Sequence, residues 1–114
     1  MTQEEKQLLL VDLSARFPYN VAVDCRDEVS RFTCYLTSDM LREIQNNTCY
    51  WEYKPYLFPM SSMTKEQKIM ICALQDMGPS YYHLIIDHYN EWHLDYRGFI
   101  EKGLAIDATG LNIY

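Results

Sequence analysis

The sequence predicts an α+β domain: an N-terminal helix, an antiparallel sheet of three to four strands, and two to three C-terminal helices that close the sheet's open face. Three observations carry this. Helical apolar spacing follows Thr2 and Thr64, β-branched and aromatic residues alternate between Val21 and Thr37, and Pro55 and Pro59 separate the strand-forming part from the helical part. A length of 114 residues suits one domain over 1–114, since a single core is usual at roughly 100–150 residues.

The first helix is expected at 3–16. Thr2 and Glu5 form a capping box, in which each side chain satisfies the other residue's free N–H. Leu9, Leu10, Leu13 and Phe17 then recur at spacings of three and four, with Glu4, Glu5 and Asp12 off that stripe. Pro18 disfavours helical geometry at Phe17 and ends the element.

VAVDC and VSRFTCYLT flank a charged turn and read as a hairpin. With Asp27 and Glu28 as the turn, Val23 faces Phe32, Val21 faces Cys34 and Asp24 lies opposite Arg31. Asp-Glu lacks the glycine that tight turns prefer, so a longer loop with shifted register is the alternative. Residues 38–46 fit either a helix capped by Ser38 or Asp39, or a strand carrying Met40, Arg42 and Ile44; periodicity does not separate the two. Asn46-Asn47 signals a turn, and TCYWEY places a third strand at 48–53.

KPYLFPMSSM is an extended crossing segment with Tyr56, Leu57 and Phe58 on the core. Thr64 and Gln67 repeat the capping box and open a helix through Ile71 and Leu74, ending before Gly78-Pro79. Ile85, Tyr89, Trp92 and Tyr96 predict a helix over about 84–94, although SYYHLII alone also fits a short strand. Asp95 is expected to cap a short helix through Lys102, with Gly103 in the left-handed position that stops it and Arg97 paired to Glu101 one turn on. The apolar tail after Gly103 is expected to pack on the domain.

Composition narrows the function classes. Sixteen acidic against ten basic residues give a net charge of -6, which repels phosphate and argues against nucleic acid as a partner. A local strip of Lys54, Lys65 and Lys68 is the one basis for a nucleic-acid-associated regulator. Ten tyrosines beside an acidic surface suit a protein partner with a basic patch. No apolar run reaches the roughly 20 residues a membrane helix needs. Cys25, Cys34, Cys49 and Cys72 are widely spaced without a CxxC pair, and the expected state is reduced thiol in a cytoplasmic setting. All four are expected to be buried and unreactive, Cys25 and Cys34 on the inward pattern of the hairpin and Cys49 and Cys72 by similar flanks.

No phosphate-binding loop or nucleophile elbow occurs, so no cofactor is implied. His83, His88 and His93 fall close to Asp87, Glu91 and Asp95. Spacings of five put the histidines about 140° apart around a helix, so they diverge, and no metal site is expected. A small hydrolase using the His, Asp and Glu of 88–95 is the enzymatic alternative. The remaining candidate is an interaction patch of Trp92, His93, Tyr96 and Arg97, residue types that dominate protein interface hot spots; against it stands their use as a clasp joining the last helices to the core.

KPYLFPMSSMTKEQK and IDHYNEWHLDYRGFIEKGLAI together resemble a set of short proteins encoded in the genomes and mobile elements of anaerobic gut bacteria. Those proteins carry a KPYLxPMSSMT segment and a DYRGLIxxGLA close. The resemblance runs from Lys54 on and includes the MTxEEKxLLLxDL opening, while the hairpin and residues 38–50 match poorly. Phe58 replaces a residue often basic there, Trp92 precedes His93 where two histidines are usual, and Phe99 stands for leucine. The resemblance implies a bacterial cytosolic setting and an α+β fold, with no activity attached. The function expected on these grounds is a small acidic protein-interaction module, of the kind a mobile element uses to bind or inhibit a host protein.

Overall fold

A computed structural model of the chain describes residues 2–47 and 51–114. In chain order these form α1 (Gln3–Arg16), β1 (Ala22–Arg26), β2 (Arg31–Tyr35), α2 (Ser38–Asn46), β3 (Glu52–Leu57), α3 (Lys65–Asp76), α4 (Tyr82–Glu91) and the short β4 (Ile106–Asp107), joined by 3-10 turns at Phe17–Tyr19, Met60–Ser62 and Pro79–Tyr81. The fold is α+β, with sheet order β2-β1-β3-β4. β1 pairs antiparallel with β2 and with β3, whereas β4 runs parallel to β3, so the sheet is mixed rather than wholly antiparallel. The tail reaches that edge after a long crossover through α3 and α4, which permits the parallel direction.

Both capping boxes form. Thr2 and Glu5 exchange side-chain to backbone bonds at the start of α1, and Thr64 and Gln67 do so at the start of α3. The buried face of α1 is Leu9, Asp12, Leu13 and Arg16, a spacing of three and four that leaves Phe17 41% exposed. Asp12 therefore belongs to the inward face, contrary to the apolar stripe read from the sequence, because two arginines meet its carboxylate there.

The hairpin takes the longer loop. Asp27 Oδ1 accepts bonds from the N–H of Val29 (2.8 Å) and Ser30 (2.6 Å), and the Asp27 N–H donates to Ser30 O. This aspartate turn replaces the missing glycine and moves the register by two residues, so Val23 lies opposite Cys34 and Cys25 opposite Phe32. A shift of two preserves the faces, and Arg31 still reaches Asp24 at 2.7 Å.

Residues 38–46 are helical. Thr37, one residue before the expected caps, accepts from the Met40 N–H, and Asn47 ends α2 at φ 54°. The strand expected at 48–53 falls in part on 48–50, outside the described residues; among the described ones β3 begins at Glu52 and runs through Pro55 to Leu57. Proline is tolerated because β4 joins this strand's outer edge only from Tyr56, so no ladder bond is asked of residue 55 on that side.

Alternation sorts the core into two layers. Val23, Cys25, Tyr53 and Leu57 face a main cluster completed by Leu9, Leu13, Ile44, Phe99 and Leu104. Ala22 and Tyr56 face a smaller cluster with Ala108, flanked by Phe58, Ile106 and Ile113, so the tail packs as expected. The expectation that the C-terminal helices close the sheet fails: α1, α2 and the 99–105 turns cover the main face, while α3 packs chiefly on α4 and the turn between them. Extents of 47 × 30 × 23 Å and a radius of gyration of 14.8 Å, against roughly 13 Å for a compact chain this long, mark an elongated molecule.

Candidate functional site

The segment 88–105 is where the sequence places its candidate chemistry. α4 ends at Glu91, and two residues on His93 sits in the left-handed region at φ 58°. His93 N–H donates to Asn90 O and Leu94 N–H reaches back to Tyr89 O, the bond pattern that closes a helix at a left-handed residue. The chain then lies beside β3: Phe58 N–H donates to His93 O and Asp95 N–H to Phe58 O, both at 2.8 Å. The two sequence segments that carry the resemblance are joined here.

Asp95 is buried and spends both carboxylate oxygens on backbone, accepting from Phe99 N–H (2.8 Å) and Ile100 N–H (2.9 Å). No helix follows. Gly103, at φ 74°, closes a set of turns in which Leu104 N–H bonds Phe99 O, so the cap and the left-handed stop are present around turns alone. Arg97 does not pair with Glu101; its guanidinium turns to Asp12, 3.0 Å away, because a buried carboxylate offers a stronger partner than an exposed one.

Asp12 is the centre of this arrangement. Its side chain is fully buried and takes Arg16 Nε on one oxygen (2.8 Å) and Arg97 Nε on the other. Arg16, also fully buried, extends Nη2 to Leu94 O at 2.7 Å. The Tyr96 ring lies 5.1 Å from the Arg16 guanidinium and 5.0 Å from that of Arg97, and its hydroxyl donates to Asn90 Oδ1. Tyr96 and Arg97 are thereby tied to α1 and to α4 together, with Arg97 only 28% exposed along its side chain.

Trp92 and His93 point elsewhere. Trp92 stacks on His88 with ring centres 5.0 Å apart and borders a groove of about 340 Å3 shared with Phe58, Ser62, Thr64, Gln67 and Leu94. His93 stacks on Tyr114 at 3.7 Å, nearly parallel. Burial, helped by the charge of Arg16, lowers its pKa to about 4, so it is neutral near pH 7. Tyr114 fixes the tail by donating to Tyr56 O and accepting from Ala22 N–H, and burial raises its pKa to about 12. Of the four residues of the candidate patch, Tyr96 and Arg97 stay together, while Trp92 and His93 each stack on a different ring.

Among the described residues no group of three His, Cys, Asp or Glu side chains converges in a way that could hold a metal. Nor, among the described residues, is any helix long and apolar enough to cross a membrane. Lys54 pairs with Glu52 at 3.4 Å, while Lys65 and Lys68 lie exposed on α3.

Sequence reasoning missed two features. The Asp12–Arg16 spacing of four, on a face already marked by Leu9 and Leu13, was the available signal for the buried pair. The second is the outer surface of α3 and α4. α3 buries Ile71 alone, leaving Ile69 60%, Met70 45% and Met77 56% exposed. α4 adds Tyr82 at 53% and Ile86 at 39%. Tyr82, Ile85, Ile86 and Gln75 line an open groove of about 360 Å3 between the two helices. No protein-family model, curated protein or solved structure matches the chain.

Proposed function

We propose that this chain acts in the cytoplasm as a small protein-interaction module, with the outer surface of the α3–α4 hairpin as its contact face. The observation that carries the reading is the exposure of Ile69, Met70, Met77, Tyr82 and Ile86 on one two-helix element that contributes little to the body's core. Single exposed hydrophobics are ordinary, but several on one two-helix element mark a surface that gains by being covered. Methionine and tyrosine suit that role, since one adapts its shape and the other offers area with a polar tip. The net charge of -6 favours a partner whose apolar patch has a basic border, because complementary charge speeds encounter and rejects acidic competitors.

Photo-crosslinking in native extract tests this. A crosslinker placed at Met77 or Ile86 is expected to give a discrete adduct that disappears when Met70→Glu is added, whereas one at Val29, 91% exposed on the hairpin loop, gives none. Adducts of equal yield from all three positions, or none from the helices, contradict the proposal.

A further inference from the structure

The β1–β2 hairpin holds two thiols in an unusual relation. Cys25 and Cys34 have their Sγ atoms 3.1 Å apart, one donating to the other, and both are free. They sit on adjacent strands two positions off direct pairing, Cys25 opposite Phe32 and Cys34 opposite Val23, so their side chains share the face of the main core. A disulfide requires about 2.05 Å between sulfurs, roughly 1 Å less than observed. We propose that Cys25 and Cys34 are an oxidisable dithiol, closed by a hydroperoxide into a disulfide that ties the outer strand β2 to the central strand β1.

Their surroundings divide the roles. Cys34 is half-buried on β2, which ends the sheet, and is the sulfur an oxidant reaches; Cys25 is fully buried behind it. Burial, then the contact with Cys34 and the charge of Asp24, push the Cys25 thiol up to about 12, so it stays protonated until a partner sulfur is activated.

Cys34, as thiolate, attacks one peroxide oxygen, the O–O bond breaks, and the departing oxide takes a proton, leaving Cys34 sulfenic acid. Cys25 sulfur then attacks Cys34 sulfur; the S–O bond breaks, the S–S bond forms, and the Cys25 proton leaves with the hydroxide as water. With hydrogen peroxide, two thiols lose two electrons and two protons, and two waters form. A thiol reductant reopens the bond by exchange.

Cys72 is exposed on α3 and serves as the internal comparison, a thiol that bonds no other thiol among the described residues. The test treats folded wild-type protein and the Cys72→Ser variant with hydrogen peroxide, blocks remaining thiols and digests with trypsin. Cys25 falls in the fragment 17–26 and Cys34 in 32–42. The expected result is a species linking these two fragments in both proteins, removed by a thiol reductant. In Cys25→Ser the reaction stops at a Cys34 sulfenic acid that dimedone captures. Wild-type protein in which peroxide leaves both fragments unlinked, or joins 32–42 to the fragment carrying Cys49, overturns the proposal.

Discussion

His93 shows how one residue couples backbone, packing and titration. A left-handed conformation costs most residues about 1–2 kcal/mol, and here the ring gains contact with Tyr114 at 3.7 Å. Its pKa falls from 6.5 to about 4 in the fold, so between those values the unfolded chain binds more protons than the folded one. Stability from this group is complete above about pH 6.5 and is lost as pH falls toward about 4. The variant His93→Asn keeps a side chain that tolerates φ 58° and removes the titration. Denaturant unfolding at pH 7 and pH 4.5 is expected to show a smaller loss of stability on acidification in the variant than in wild type. An equal loss means that His93 does not titrate as described.

At the scale of elements, the clasp is carried by a buried carboxylate rather than by the helix the spacing suggests. Asp12 connects α1 to the turn after α4 through Arg16 and Arg97. Removing one member of such a network leaves a buried charge without its partner, which costs about 3–5 kcal/mol. Asp12→Asn is therefore expected to destabilise the protein by about that much in denaturant unfolding, since Arg16 stays fully buried; a change below about 1 kcal/mol, the usual worth of a surface pair, contradicts the clasp. Elements were legible where a local rule applied. The two capping boxes placed α1 and α3 because Thr, and Glu or Gln three residues on, act within one turn. The hairpin register was not legible, because it depends on Asp27 satisfying two backbone N–H groups inside the loop. The tight-turn register put Cys34 opposite Val21, four positions from Cys25; only the shift by two brings the sulfurs together. β4 was also beyond reach, since two residues paired across a long crossover leave no periodicity.

At the scale of the molecule, the chain combines a packed sheet body with an α3–α4 helical hairpin that shares neither core cluster and touches α1 through α4. The β-hairpin and first helix of the body were visible in sequence because of the alternation along β1 and β2 and the apolar face of α1. The helical hairpin's standing was not, because an amphipathic helix reads the same whether it covers a sheet or waits for a partner. α3 carries Ile69, Met70 and Ile71 in succession, and only the last is buried. Of the candidate patch, Tyr96 and Arg97 are spent holding α1, while Trp92 borders a groove against the start of α3. We propose the helical hairpin surface as the face that binds a protein. Its most direct test is the affinity of the crosslinked partner for wild type, Met70→Glu, Ile86→Glu and Val29→Glu, each verified as folded by circular dichroism. The two hairpin variants are expected to bind at least about tenfold more weakly, a loss of about 1.4 kcal/mol, with Val29→Glu unchanged. Equal affinity for all four proteins would contradict it.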